Sequence, residues 1–300
     1  MDSVRMESLK KKYLTEAKST KFKLAKGLGY LLIYAFLGIM VVFTIFPVLY
    51  AVLGAFKTNA EVTLGSTIIP KEWIFENFAS AWHKSNFALY TWNSLYVAFF
   101  VTLGSLLISS AAGYCIARRE FPGKKLLMGL YLATMFISIG AVTLRPLYLL
   151  IVQLGLQNTL WGIILVQTGA QGTNIFLVSR FIKSVPVELD EAATIDGCGF
   201  FRIYWNIILP LIKPALGVVG LFSFRMSWND YILPSIFTMT QPALRTLTVG
   251  VVSLRYGETA AAQWNLMLAG ASLSIVPMVI IYLLANKTFL SGLTEGAVKG

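Results

Sequence analysis

The chain has 300 residues, of which 56% are hydrophobic and only 13% charged, with a mean hydropathy of +0.69. Soluble domains carry about 45–50% apolar and about 25% charged residues, so this composition excludes an ordinary water-soluble enzyme. The formal charge of +11 would suit a nucleic-acid binder, but the basic residues gather in alternate segments between long charge-free runs, as membrane topology demands.

Residues 1–26 are basic, with Leu9, Tyr13 and Ala17 at helical spacing among seven lysines, a positive-inside tail able to lie on an anionic leaflet. The apolar run that follows exceeds a signal-peptide core of about 7–15 residues and lacks a small-x-small cleavage site, so it is expected to stay as an anchor. Charge-free stretches run from Gly27 to Phe56, Ser85 to Ala117, Leu126 to Leu144, Pro146 to Ser179 and Thr259 to Asn286. They predict spans over residues 28–53, 92–116, 126–147, 159–179 and 261–285. A further span is inferred over 210–228, with Lys213 and Arg225 snorkelling at its ends. Each is near the roughly 20 residues that cross about 30 Å of hydrocarbon.

Lys and Arg are distributed accordingly. Eight fall in residues 1–26, four in 118–125, four in 180–213 and two in 287–300, against three in 57–84, Arg145 alone, and three in 225–255. The expectation is an all-α membrane protein of six transmembrane helices with cytoplasmic N- and C-termini. It divides into a basic cytoplasmic segment (1–26), a transmembrane domain (27–286) with a cytoplasmic loop (180–209), and a cytoplasmic tail (287–300). The seven tryptophans fall near predicted span ends, where amphipathic rings anchor. His83 stands alone in a polar outer loop and cannot form a metal site by itself, and Cys115 and Cys198 read as free thiols.

The inner segment from Val185 to Pro214 is too patterned for a mere connection. Pro186 suits the first turn of a helix; Glu188, Asp190 and Glu191 then lie near its N-terminus, where the macrodipole favours anions, and Gly197 can end it in the left-handed conformation. A helix of about ten residues is unstable alone and must gain stability by packing. Ala192 and Ala193 offer a low surface, and Glu188, Glu191 and Asp196 offer carboxylates to a basic partner. Pro210 is expected to discourage helical geometry at Leu209 and to start the next span.

The spacing Glu191-Ala192-Ala193, Gly197, then Ile207-Ile208-Leu209-Pro210 resembles the signature of permease subunits of binding-protein-dependent ABC importers. Further stretches in order are similar to the smaller permease of maltose-type carbohydrate importers: Ala55-Phe56-Lys57, Asn77-Phe78, Asn93-Ser94-Leu95, Ala112-Gly113-Tyr114, Ala117-Arg118, Phe121-Pro122-Gly123-Lys124, Trp228-Asn229-Asp230-Tyr231, Gly292-Leu293-Thr294 and Gly296-Ala297-Val298-Lys299-Gly300. The resemblance implies a type I importer permease in the bacterial inner membrane that forms half of a sugar path beside a second, homologous permease. It also implies two cytoplasmic ATPase subunits, which bind ATP and Mg, and an extracytoplasmic sugar-binding protein. On this resemblance Glu188, Glu191, Ala192, Ala193, Asp196, Gly197, Ile207, Leu209 and Pro210 couple to the ATPase, and Gly296, Lys299 and Gly300 lie in a tail that contacts it. The sequence departs from the family pattern at Phe136–Gly140 and at Arg145; Arg145 and Arg225 read as interfacial arginines.

The alternative is an ion-coupled secondary transporter, but the predicted spans contain no Asp or Glu to mark an ion path. An intramembrane enzyme would need a nucleophile with its base, a carboxylate pair or a metal cluster, which the sequence does not supply. A Gly-x4-Gly-Lys-Ser/Thr loop is absent, so ATP would be hydrolysed on another chain, and no cofactor is expected in this one.

Overall fold

Lipid offers the backbone no hydrogen bonds, so a chain of this composition must satisfy its own amides, and it does so almost entirely with helices. The computed structural model describes residues 2–65, 67–136, 140–256 and 262–297, and their side chains outside 2–26, 28, 136, 141 and 284–297. The first helix, α1 (Asp2–Gly54), joins the basic segment and the first apolar run without a break. Residues 30–49 of its apolar part are exposed, and it meets the rest of the chain near Gly54, which is buried and where an added Cβ would lie 2.6 Å from Leu268.

The outer loop expected after α1 is instead a folded cap. Helix α2 (Asn59–Leu64) is capped by the Thr58 hydroxyl and ended by Gly65 at φ 62°, and α3 (Glu76–Lys84) follows. Asn77 Nδ2 donates to the carbonyls of Ala55 at 2.8 Å and Lys57 at 2.9 Å, and its Oδ1 accepts from Asn265. Asn59 donates to Ala262 O and accepts from the Trp264 amide, both at 2.8 Å. These long-range amide bonds tie the C-terminal end of α1 to the N-terminal end of the last helix. They also give structural work to Ala55-Phe56-Lys57 and Asn77-Phe78.

Helix α4 (Phe87–Arg118) is the central post, with buried residues recurring along it from Phe87 to Ile116. It is followed by α5 (Lys124–Phe136), a 3₁₀ turn (Gly140–Thr143), α6 (Leu144–Gln153), α7 (Leu160–Gly169) and α8 (Gly172–Lys183). The expected third and fourth spans are therefore each built from two shorter helices. At the second break Ala170 leaves helical geometry, and polar side chains collect around it: Gln171 Nε2 donates to Ser105 Oγ at 2.8 Å, and Asn174 to Gln171 Oε1 at 2.7 Å. Ser227 donates to Gln167 Oε1 at 2.7 Å, and Gln167 donates to Asp230 at 2.8 Å. Amides and hydroxyls that satisfy one another, here together with the Asp230 carboxylate, are how a broken helix survives in a low dielectric.

Then come α9 (Glu188–Ile195), α10 (Phe200–Leu211), α11 (Lys213–Asn229), α12 (Ile232–Phe237), α13 (Leu247–Ser253) and α14 (Trp264–Ala297). Pro210 does not start the fifth span. Leu209 is helical at φ −58°, and a π turn over Tyr204–Ile208 lets its amide reach the Tyr204 carbonyl, which carries the helix through Pro210. The break comes at Ile212, ahead of Pro214, and α10 and α11 meet there at 77°. The segment after α11 packs back on α4: Asn93 Nδ2 donates to Ala243 O and Arg245 O, and the Leu247 amide donates to Ser94 Oγ.

Of the described helices, α1, α4 and α14 hold segments long and apolar enough to cross a membrane singly; α10 with α11 makes a fourth if the bent pair is one crossing. Trp228 departs from the expected anchoring role: it is buried, stacked on Phe224, and borders a cavity of about 520 Å³ with Thr248, Met267, Ser274 and Met278.

Candidate functional site

Helix α9 lies between α8 and α10, and both of its ends are held. Pro186 precedes it, and Val187, already helical, accepts from the amides of Asp190 and Glu191. At the other end Gly197 has φ 80°; its amide donates to Thr194 O at 3.0 Å, and that of Cys198 to Ala193 O at 2.9 Å. That pair of bonds is a Schellman cap, whose left-handed residue is best a glycine.

The side chains divide by face. Glu188, Glu191, Ala192 and Asp196 are exposed, as are Leu189 and Ile195, so the outer surface combines carboxylates with apolar contacts and one small residue. Ala193 turns inward, 6% exposed, and joins a core of Tyr114, Ile182, Ile203, Tyr204 and Ile208. The low surface expected from the alanine pair is therefore Ala192 alone, since adjacent helical residues point about 100° apart. Ile207 and Leu209 pack half-buried against the same core, Pro210 is exposed on α10, and Gly197 shapes the turn. These residues connect α9 to α11 and do not extend its outer surface.

Asp190 has a role that its position in the first turn did not reveal. Its Oδ2 lies 2.8 Å from Arg118 Nε at the C-terminal end of α4, with both side chains largely buried; Arg118 also donates to Val185 O at 2.9 Å. The Nε contact lacks hydrogen-bond alignment, and Asp190 Oδ1 finds no partner among the described residues, so charge is the main tie. Tyr114 stacks on Phe200 and Tyr204, and Ser110 shares a 2.8 Å hydrogen bond with the Tyr204 hydroxyl, which fixes α10 to α4 as well. Helix α9 is thus tied to α4 by an ion pair and followed by the bent helix pair α10–α11. Two sequence signals pointed this way without naming the pair: Arg118 in Ala117-Arg118, and three acids in one short helix.

Of the tail residues, Gly296 lies within the α14 backbone, while Lys299 and Gly300 lie outside the described residues. Arg145 and Arg225 are exposed, Arg225 over the Phe222 ring. Both cysteines are free, and the described residues bring no three His, Cys, Asp or Glu together as metal ligands.

The family model described as binding-protein-dependent transport system inner membrane component matches residues 104–289, which include α9, α10 and α11. The chain is 35% identical to the melibiose/raffinose/stachyose import permease protein MelC of Bacillus subtilis over 235 residues, 78% of this chain and 84% of that one. It is 32% identical to the galactooligosaccharides transport system permease protein GanQ of the same organism, covering 93% of this chain and 98% of the relative. Among solved structures, a bacterial ABC transporter for import of the acidic polysaccharide alginate superposes with a TM-score of 0.70 at 24% identity, covering 86% of this chain and 95% of that one. That likeness gives the fold, a type I ABC importer permease. The breadth of the sequence matches decides the rest: the chain belongs to the binding-protein-dependent transport system inner membrane components, the permease subunits of ABC importers.

Proposed function

We propose that this chain is half of the translocation path of an ATP-driven sugar importer, carrying a mono-, oligo- or polysaccharide-derived substrate across the bacterial cytoplasmic membrane. A second, homologous permease forms the other half, an extracytoplasmic binding protein delivers the sugar, and two cytoplasmic ATPase subunits bind ATP and Mg. The substrate class rests on the sugars named for MelC and GanQ. Family membership sets aside the ion-coupled carrier.

In this reading the chain crosses six times with both ends in the cytoplasm, the third and fourth crossings being the helix pairs α5–α6 and α7–α8. The domain limits are those expected: 1–26, 27–286 with the loop 180–209, and 287–300, whose end reaches the ATPase through Gly296, Lys299 and Gly300. Glu188, Glu191, Ala192 and Asp196 form the ATPase-facing surface. Ala193, Gly197, Ile207, Leu209 and Pro210 hold it to the moving span. ATP-driven closure of the partners displaces α9, and α10 delivers that displacement to α11, opening the path to alternate sides.

The observation that carries this reading is an acidic helix exposed on one face, ion-paired to α4 behind, and joined by a short turn at Gly197 to a helix that bends into the next apolar helix. The test is Glu191→Lys in the assembled complex. Expected are normal insertion and loss of both sugar-stimulated ATPase activity and uptake; uptake at the unmutated rate refutes the coupling role.

A further inference from the structure

Helix α10 does more than connect. It meets α11 at 77°, so with α11 near the bilayer normal α10 runs close to the membrane plane. Phe201 and Trp205, one turn apart, are 77% and 54% exposed, which is the placement of interfacial aromatics. Between α10 and α4 lies a groove of about 270 Å³ lined by Leu107, Tyr114, Cys115, Phe200, Tyr204 and Trp205.

The α4 wall of that groove is continuous with membrane-facing surface: Leu107, Ala111 and Cys115 are exposed along one side of a 32-residue apolar helix. One end of the groove is cationic. Arg119, exposed just past the end of α4, holds its guanidinium 4.5 Å from the Phe200 ring centroid, and Arg202 is exposed beside Phe201. The nearby carboxylates are already engaged, Glu120 by Lys124 at 2.6 Å and Asp190 by Arg118 at 2.8 Å. An apolar slot at interfacial depth with an arginine at its mouth matches a molecule with an acyl chain and an anionic head.

We propose that this groove binds an anionic phospholipid of the cytoplasmic leaflet, one acyl chain lying between α4 and the aromatic face of α10 and the phosphate on Arg119. The leaflet follows from the topology proposed above. Tyr114 and Tyr204 line the groove and also pack in the core that receives Ala193 of α9, so an occupied groove buttresses α10 and ties transport to the lipid composition of the inner leaflet.

The probe is brominated phosphatidylglycerol against brominated phosphatidylcholine, in vesicles holding the complete transporter. Trp205 is one of seven tryptophans in this chain, and its share of the fluorescence is the difference between the unmutated transporter and the one carrying Trp205→Phe. The phosphatidylglycerol should quench that share at about fivefold lower mole fraction, the preference that one basic residue at an anionic surface supplies. Arg119→Gln should abolish the preference and Arg119→Lys should keep it. Equal quenching by the two lipids overturns the headgroup site, and no quenching by either means that protein covers the groove and overturns the proposal entirely. Glu191→Lys in the same vesicles should stop transport and leave the quenching unchanged, so the lipid site and the coupling role fail separately.

Discussion

At the scale of single residues, Arg118 and Asp190 carry the largest consequence. Removing one member of a sheltered ion pair strands the other charge, so Asp190→Ala should destabilise the loop by about 3 kcal/mol, and replacing both by apolar residues of similar size should recover most of that loss. Thermal melting of the single and double variants checks it; equal loss in both would mean that charge is not the tie. Glu61 gives a second residue-scale expectation, in the outer cap. The Thr67 hydroxyl first, then the Lys71 amide and the charges of Lys57 and Lys71, hold its carboxyl below the ordinary value, while partial desolvation opposes them. A carboxyl depressed in the folded state contributes stability above its unfolded pKa and loses it as pH falls through the depressed value. The cap should therefore loosen once pH drops below about 4, seen as faster amide exchange over residues 57–71, and Thr67→Val should move that loosening to higher pH.

At the scale of elements, two glycines make sharp predictions. Gly197 closes α9 in a conformation that costs other L-residues about 1–2 kcal/mol, so Gly197→Ala should fray α9, while Gly197→Asn should be milder. Amide exchange over residues 188–198 measures the fraying. Gly113 lets α4 and α8 approach: an added Cβ would stand 2.9 Å from Val178 Cγ1 and 3.2 Å from the Ser179 amide nitrogen. Val178 is fully buried and the amide is backbone, so neither can yield easily. Gly113→Leu should cost about 1–3 kcal/mol or more by overpacking, read as a lower melting temperature of the inserted subunit.

At the scale of the whole molecule, topology is the property to test. In a cysteine-free background Ser184→Cys should react with an impermeant maleimide only from the cytoplasmic side, and Glu72→Cys only from outside; the reverse pattern would invert the second or the first half. The first, second and last spans were legible in the sequence because an uninterrupted charge-free run needs only composition to be recognised. The breaks were not: those at Ala170 and Ile212 depend on how Gln171 finds Ser105 and how a π turn accommodates Pro210, and hydropathy sees neither. The outer cap stayed hidden for a similar reason, since α2 and α3 are short, polar helices held by Asn59 and Asn77 across most of the chain length. At the site, Pro186 and Gly197 bracketed α9 correctly, but the inward turn of Ala193 and the partner of Asp190 needed the fold.

The join at Ile212 has a mechanical meaning. Residues 210 and 214 are both prolines, so the carbonyls of Asn206 and Pro210 have no amide four residues on to receive. Only the second of these gaps spans the join, so changing the angle between α10 and α11 sacrifices no bond from the Pro210 carbonyl to residue 214. In the proposed mechanism the join is thus a bend with no ladder bond to break at Pro214, through which a displacement of α10 can be passed to α11 as tilt.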